Sequence, residues 1–336
     1  MAMKAMTPSR RDLIKMAGTA LPLSALQGGL SAAVKPNSNF GGVQVGINAP
    51  YSFHNIPGSA DDILGYLAQT GLGAVELRSQ PVEAFLGAPA ASSQGVGEVP
   101  RAAQGGKAAP LSPEQEAAQR AAREELKKWR LSRSLNEFRA FRRKYEDAGV
   151  KIQIVKFDKI DSAGDDVIDY CFQMAKALGA NAISCEIPVS ATKRLGAFAA
   201  KHELMVGYHG HGNLTNPEAF GRLGAWEQAF WYSKYNGANV DIGHFFASNG
   251  FSPAAWIKEN HTRITHVHLK DRKANMGAGM PWGQGDTPLK EILQLMKSQQ
   301  YKFQATIELE YPVPEGSSVL AEISKCVQYC RSVLEG

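Results

Sequence analysis

The sequence predicts a closed barrel of eight parallel strands, each followed by a helix, over residues 34–336. Eight short runs rich in Val, Ile and aromatic residues alternate with longer amphipathic stretches, and such alternation is typical of a parallel sheet. Eight strand–helix units in roughly 300 residues fit a (β/α)8 barrel better than an open sheet. The predicted strands are 43–48, 73–78, 151–157, 181–187, 204–210, 239–244, 264–270 and 303–310.

The stretches between the strands carry helix start and stop signals. Ser59 is an expected N-cap with Asp62 three residues later, and Gly71 is the expected end of that helix. The spacing of apolar residues predicts further helices over 165–178 and 317–334. Three dipeptides pair an N-cap residue with a proline at the expected first helical position: Asn216-Pro217, Ser252-Pro253 and Thr287-Pro288.

One segment departs from the repeating pattern. Residues 87–112 are rich in Gly, Ala, Pro and Ser without periodicity, which predicts an inserted surface loop. A long charged helical stretch follows over 113–148, and residues 120–151 hold eleven basic against five acidic side chains. This pattern favours a solvated outer helix, and contact with an acidic partner or a membrane surface is the alternative.

The first thirty residues resemble a twin-arginine export signal. Arg10 and Arg11 precede a mildly apolar stretch, 16–30, and small residues at 31–33 would suit a signal peptidase. The stretch is too short and interrupted for a stable membrane span, which needs about 20 apolar residues. Residues 1–33 are therefore expected to be a signal peptide and the protein to be periplasmic, with an uncleaved anchor as the alternative.

The composition and the net charge indicate which kinds of molecule the protein could bind. Hydrophobic residues make up 44% and charged residues 21%, as in ordinary soluble domains. The net charge is +5, and residues 1–34 contribute 4 − 1 = +3 of it, which leaves +2 for the remainder. So small an excess gives no support for nucleic-acid binding. Four cysteines in 336 residues are not a disulfide scaffold, and the sequence leaves a homo-oligomer open.

Carboxylates and imidazoles stand at the ends of five consecutive predicted strands. The carboxyl ends of the strands form the active site in (β/α)8 barrels. Burying such groups unpaired would cost several kcal/mol, which a bound divalent cation would offset. The residues concerned are Glu186, His209, His211, Asp241, His244, His266, His268, Lys270, Glu308 and Glu310.

The strings around these residues resemble a known family. D-x-G-H at 241–244, H-V-H-L-K-D at 266–271 and E-L-E-Y-P at 308–312, in that order, are similar to the sugar phosphate isomerase/epimerase superfamily, whose fold is the xylose isomerase-like TIM barrel. Y-H-x-H at 208–211 resembles the branch that includes inosose dehydratase-like proteins. The resemblance covers 43–334 and implies one divalent metal held by Glu, Asp, His and Glu at strand ends.

Carrying this pattern over residue by residue gives a ligand set. The expected ligands are Glu186, Asp241, His268 and Glu310. Glu310 is preferred to Glu308 because it lies nearer the strand end. Glu186 fills the remaining place because the fifth strand carries histidines where some members of the family carry Glu. Three carboxylates and one imidazole favour Mn²⁺, with Mg²⁺, Co²⁺ and Zn²⁺ as alternatives.

The expected chemistry is removal of a proton next to a sugar carbonyl. A metal that holds the carbonyl oxygen and the neighbouring hydroxyl would stabilise the enediolate formed. The acid and base are expected among His209, His211, Lys270 and Glu310. Substrate contacts are expected from Asn48, His54, His244, Trp282 and Gln284, although Trp282 would equally suit packing in a turn.

The sequence thus predicts an exported, metal-dependent isomerase or epimerase acting on a small carbohydrate. Two alternatives stay open. In a 3-keto-glycoside, removal of the C2 proton can expel the C1 substituent, so the same groups would make a lyase. A non-catalytic sugar-binding barrel would retain the pocket without turnover. The related AP-endonuclease-type barrels act on DNA, and the low charge and the export signal argue against that activity.

Overall fold

Eight parallel strands close into a barrel in the computed structural model, which describes residues 35–89 and 112–336. The strands are hydrogen-bonded in chain order, and β2 pairs with β9 to close the ring, while β1 is antiparallel to β2. The strands are β1 (Asn39–Phe40), β2 (Val43–Ala49), β3 (Ala74–Arg78), β4 (Lys151–Lys156), β5 (Ala182–Cys185), β6 (Met205–His209), β7 (Asn236–Asp241), β8 (Ile264–Leu269) and β9 (Gln304–Ile307).

Helices surround this barrel and cover its apolar outer face. Within the described residues none of them is both long and apolar enough to cross a membrane. The helices are α1 (Ala60–Thr70), α2 (Ser79–Phe85), α3 (Pro113–Leu131), α4 (Leu135–Asp147), α5 (Asp165–Ala177), α6 (Thr192–His202), α7 (Leu223–Tyr232), α8 (Ile242–Asn249), α9 (Ala254–Asn260), α10 (Leu289–Ser298) and α11 (Val319–Glu335).

All eight predicted strands are present, so the predicted fold is confirmed. The largest difference is at β7, which begins at Asn236, three residues before the predicted start. Asn236 is a weak strand former, yet it is fully buried and its side chain is satisfied. Its amide nitrogen donates to the Ala229 and Thr192 carbonyls, and its oxygen accepts from the Tyr208 hydroxyl at 2.7 Å. Tertiary hydrogen bonds here override the local preference.

The first predicted helix is confirmed at both ends. Ser59 and Asp62 form a capping box, in which each side chain accepts from the backbone N–H of the other residue. Gly71 ends α1 with φ +74°, a left-handed conformation that glycine adopts without steric cost. The helices predicted over 165–178 and 317–334 are also present, as α5 and α11.

The Asn216-Pro217 prediction is wrong. This dipeptide lies in a turn, where the Asn213 side-chain oxygen accepts from the backbone N–H groups of Thr215 and Asn216. The next helix, α7, begins only at Leu223. Local side-chain bonds to the backbone compete with helix initiation, so the dipeptide alone does not start a helix. At the other two sites Pro253 and Pro288 are themselves the N-caps of α9 and α10, one residue from the prediction.

The long charged stretch is two helices instead of one. The chain breaks between α3 and α4, where Ser134 forms a second capping box with Glu137. Of the predicted loop over 87–112, residues 90–111 lie outside the described residues, as does the predicted signal over 1–33. The four cysteines, all within the described part, are buried and free.

A buried ion pair ties α3 to the barrel. Arg130 donates from Nε and Nη2 to the two carboxylate oxygens of Glu83 on α2, at 2.8 and 2.9 Å. The Tyr170 hydroxyl on α5 donates to the same carboxylate at 3.0 Å. The side chains of Arg130 and Glu83 are only 4% and 0% exposed. Such a pair is costly to break because the remaining charge stays buried.

We therefore expect Glu83→Leu to lower the free energy of unfolding by about 3–5 kcal/mol, since it leaves the Arg130 guanidinium buried beside an apolar group. Urea unfolding followed by circular dichroism measures this change. The control is Glu146→Gln, which removes an exposed pair with Arg142 on α4 and should cost about 0.5 kcal/mol or less. Equal losses in the two variants would contradict the importance of the buried pair.

Candidate active site

Four titratable side chains meet at the carboxyl end of the barrel, on consecutive strands. His209 and Asp241 are the last residues of β6 and β7, His268 is the penultimate residue of β8, and Glu308 follows β9 directly. All four are buried, and one potential ligand atom from each lies within 4.8 Å of the others. We call these four residues the central cluster.

Strand register explains why the central cluster forms. Asp241 and His268 are partners in the β7–β8 ladder, so their side chains project from the same level of the barrel. His209 Nε2 lies 3.3 Å from Asp241 Oδ2 and 3.9 Å from Glu308 Oε2. His268 Nδ1 lies 2.8 Å from Glu308 Oε2. The four side chains therefore converge on one volume from four neighbouring strands.

His268 is oriented by a buried carboxylate on the far side of its ring. Glu76 on β3 lies with Oε2 2.6 Å from His268 Nε2, so Nδ1 faces the central cluster. Burial opposes charging of His268, but the carboxylates of Glu76 and Glu308 outweigh burial and raise its pKa to about 10. Glu76 also lies 3.2 Å from His266 Nε2. Histidines that bind metals commonly donate their second nitrogen to such a carboxylate.

His209 has a similar arrangement, with Glu186 behind it. The Glu186 carboxylate lies 3.4 Å from His209 Nδ1 and 3.1 Å from His211 Nε2. The buried Lys156 ammonium donates to the same carboxylate at 2.5 Å. Burial opposes ionisation of Glu186, yet Lys156 and the two histidines hold its pKa well below the usual value. Glu186 is therefore an ionised partner of His209 and His211, outside the central cluster.

Lys270 supplies the positive charge that the central carboxylates need. Its Nζ lies 2.9 Å from Asp241, 3.0 Å from Glu308 and 2.5 Å from Glu310. Burial would discourage its charge, but these carboxylates raise its pKa well above the ordinary value. Glu310 is half-buried and also accepts from the Tyr51 hydroxyl at 2.9 Å. Glu310 is thus joined to the central cluster through Lys270.

The two carboxylate oxygens of Asp241, the first residue of the D-x-G-H string, make different contacts. One carboxylate oxygen, Oδ1, accepts from the backbone N–H of His244 at 2.7 Å and caps α8. The other oxygen, Oδ2, faces His209 and Lys270. The His244 ring lies between Lys270 and Arg272, at 3.0 Å from Nζ and 2.5 Å from Nη1. Burial lowers the pKa of His244 to about 4, so its ring is neutral near pH 7.

The predicted substrate contacts fall into two groups. Asn48 is buried beside the central cluster, where its amide donates to Glu308 at 3.3 Å, and His244 lies there too. Trp282 packs edge-on against Tyr329 of α11, with ring centroids 5.6 Å apart. His54 is half-buried after the short helical turn that follows β2, and the Gln284 side chain is exposed. No contact of these last three residues with the central cluster is found among the described residues.

The central cluster differs from the predicted ligand set in two places. Asp241 and His268 are in it, Glu186 forms another candidate group with His209 and His211, and Glu310 pairs with Lys270 beside the cluster. His209 and Glu308 complete the central cluster, which therefore offers two imidazoles and two carboxylates. In both histidines the outer nitrogen faces a carboxylate and the inner one faces the cluster, as metal sites require. These buried groups could bind a metal, and the donors suit Zn²⁺, Mn²⁺ or Co²⁺.

Glu76, Lys156 and Arg272 were not among the residues expected at the site. Glu76 is the one carboxylate in β3, and Lys156 ends the next strand. An ionisable residue near the end of a barrel strand was the available signal, and it applies to both. Arg272 lies in the loop after β8 and carries no such signal.

The fold agrees with the comparisons to known proteins. The barrel is a xylose isomerase-like TIM barrel, and residues 185–328 match the profile of the xylose isomerase-like TIM barrel family. The matched range contains the whole central cluster. No curated protein sequence matches the chain.

Solved structures support the same fold. The probable 3-DHS dehydratase AsbF from Bacillus anthracis, involved in petrobactin synthesis, is similar with a TM-score of 0.55 and 15% identity over 85% of this chain and 98% of that one. The IolI protein with a bound zinc atom is similar with a TM-score of 0.56 and 13% identity, over 87% of this chain and 99% of that one. D-psicose 3-epimerase with D-tagatose from Clostridium cellulolyticum H10 is similar with a TM-score of 0.54 and 12% identity, over 88% of this chain and 100% of that one.

Substitutions separate the two ligand sets. After loading with Mn²⁺ or Zn²⁺ and desalting, we expect Glu308→Gln and His209→Ala to lose the ion, because each removes one of four donors. Glu310→Gln and Glu186→Gln should retain it, since those carboxylates pair with Lys270 and Lys156. Elemental analysis of the purified variants gives the metal content. Retention by Glu308→Gln with loss in Glu310→Gln would restore the ligand set predicted from the sequence.

Proposed function

We propose that this protein is a divalent-metal-dependent enzyme that removes a proton next to the carbonyl group of a sugar. The observation that carries the proposal is the central cluster, with ionisable groups on both sides of it at the carboxyl end of the barrel. Structural neighbours that are named as an epimerase and a dehydratase are consistent with this class of reaction.

His209, Asp241, His268 and Glu308 would hold the metal. When bound, a divalent ion supplies Lewis-acid polarisation of the carbonyl and its neighbouring hydroxyl. The Lys270 ammonium is placed to donate to a developing oxyanion, because its Nζ lies within 3.0 Å of the Asp241 and Glu308 carboxylates. Glu76 would fix the orientation of His268, and the Glu186 carboxylate lies 3.4 Å from the outer nitrogen of His209.

Two acid–base groups lie close to His244. His211 is half exposed, its ring centroid is 5.0 Å from that of His244, and Glu186 raises its pKa against the effect of burial. Glu310 lies 3.5 Å from His244 Nε2 and is held by Lys270 and Tyr51. One group would take the proton from carbon and the other would return it to carbon or oxygen. This pairing is what an isomerase or epimerase needs.

The same pair suits elimination from a 3-keto-glycoside, which is the second candidate. The base would break the C2–H bond, and that electron pair would form the C1–C2 double bond. The C1–O bond would break, and the leaving oxygen would keep its electron pair and take a proton from the acid. An acid and a base close to the neutral His244 ring support this reaction as well as the first.

Deuterium exchange tests the proposal. With Mn²⁺ bound, the enzyme should exchange the α-proton of a free ketose or of a methyl 3-keto-glucoside in heavy water, as followed by NMR. Glu310→Gln and His211→Gln should each lower kcat by about 10²–10⁴-fold while the metal is retained. Isomerised sugar would identify the first reaction, and release of methanol the second. Glu146→Gln on α4 is the control.

Exchange by neither substrate class in a metal-loaded, folded protein would contradict the proposed function. Binding of the same sugars without exchange would then favour the non-catalytic sugar-binding barrel.

We also propose that the enzyme acts outside the cytoplasm, on the strength of the arginine pair in residues 1–33. In a bacterial host with twin-arginine export, replacing both Arg10 and Arg11 with lysine should keep the protein in the cytoplasmic fraction. Replacing Lys4 with arginine preserves charge elsewhere in the segment and should leave export unchanged. Periplasmic recovery of the double variant equal to that of the wild type would contradict this route.

A further inference from the structure

A groove opens on the same end of the barrel as the central cluster. It has a volume of about 390 Å³, within the ~300–1,000 Å³ range of small-molecule sites. Its walls come from the residues that follow β2, β3 and β4, so it opens on the face that carries the cluster. Pro50 and Pro81 give it apolar surface, and Arg78, Gln80 and Asp158 give it polar groups.

The polar groups of the groove have unused hydrogen-bonding capacity. Arg78 Nη1 and Gln80 Nε2 both donate to Asp158 Oδ2, at 2.6 and 2.8 Å. Within the described residues Arg78 Nε and Gln80 Oε1 have no hydrogen-bond partner, although both atoms are buried. An unpaired buried donor and acceptor are unfavourable, so a ligand that reaches both after a small side-chain rotation would gain from them.

The charge of the groove selects the kind of ligand. The Arg78 guanidinium is neutralised by Asp158, so an anion entering the groove would also meet a carboxylate. A free donor, a free acceptor and flanking proline surfaces instead suit a neutral molecule with several hydroxyl groups and apolar C–H faces. A sugar ring has this chemistry.

Tyr51 connects the groove to the acid–base groups. The Arg78 guanidinium lies 5.5 Å from the centre of the Tyr51 ring, and the Tyr51 hydroxyl donates to Glu310 at 2.9 Å. Tyr51 therefore contacts both Arg78, which lines the groove, and Glu310. A molecule long enough to pass Tyr51 would occupy the groove and the central cluster together.

We propose that this groove is a second sugar-binding subsite, which takes the neighbouring ring of a two-ring glycoside while the reacting ring lies at the central cluster. The proposal rests on the proposed function, because it takes the reacting group to be a sugar. It assigns the substrate class as a neutral disaccharide-sized glycoside, in which Gln80 and Arg78 contact hydroxyls of the ring that does not react.

Two variants test the subsite in the full-length, Mn²⁺-loaded protein. Gln80→Leu removes the free acceptor, and Ala84→Trp places a large ring in the groove that Ala84 lines. The probes are a 3-keto-disaccharide of two glucose rings and the methyl 3-keto-glucoside. Gln80→Leu should raise KM for the disaccharide about five- to tenfold, the effect of one lost hydrogen bond, and leave the methyl glucoside unchanged. Ala84→Trp should do the same more strongly.

The matched control is Gln299→Leu, an exposed glutamine at the opposite end of the barrel. It should change neither KM. Calorimetric titration of the unoxidised disaccharide and of methyl glucoside measures binding without turnover, and the wild type should prefer the disaccharide by at least about tenfold.

The outcomes separate this inference from the proposed function. Equal KM values and affinities for one and two rings in the wild type, or equal losses for both in Gln80→Leu and Ala84→Trp, overturn the subsite and leave the reaction standing. A disaccharide preference that the two variants abolish, without exchange or cleavage of either keto sugar, supports the subsite and overturns the proposed reaction.

Discussion

The carboxylates at the mouth of this barrel are buried, and their negative charge has to be balanced inside the protein. Glu76, Asp241 and Glu308 are nearly inaccessible to water, so each would be costly without a cation or a donor beside it. Lys270 and His268 provide that balance at hydrogen-bond distances. The same charged groups contact the other polar side chains of the site. Glu76 contacts His268, Asp241 contacts His209, and Lys270 contacts Glu310.

The barrel was predictable because its strand–helix signal is repeated eight times, so that weaker strands such as β7 are placed by the pattern around them. Asp241 and His268 were predictable as neighbours because each lies at or next to the carboxyl end of its strand, and β7 and β8 pair directly. The choice between Glu308 and Glu310 was not predictable. The two share a strand face, and only the end of β9 at Ile307 shows that Glu308 lies at the level of the cluster.

The partner that neutralises Glu186 could not be predicted from the sequence either. A carboxylate at a strand end carries no information about which cation will neutralise it. The structure supplies Lys156 from the adjacent strand β4, and the carboxylate then turns to the outer nitrogen of His209. The helix start predicted at Asn216-Pro217 is wrong because side-chain bonds from Asn213, outside the dipeptide, decide the local conformation. Pair contacts of this kind are absent from any single-residue pattern.

The Asp241 carboxylate takes part in two structures at once, because one oxygen stabilises helix α8 and the other contributes charge to the site. Oδ1 caps α8, and Oδ2 belongs to the central cluster. Asparagine is as good an N-cap as aspartate, whereas alanine forfeits the cap at a cost of about 1 kcal/mol. A chain with asparagine at this position would therefore keep α8 intact while losing one negative charge from the barrel mouth. At this position the cap of α8 and the charge of the site can therefore be changed independently of each other.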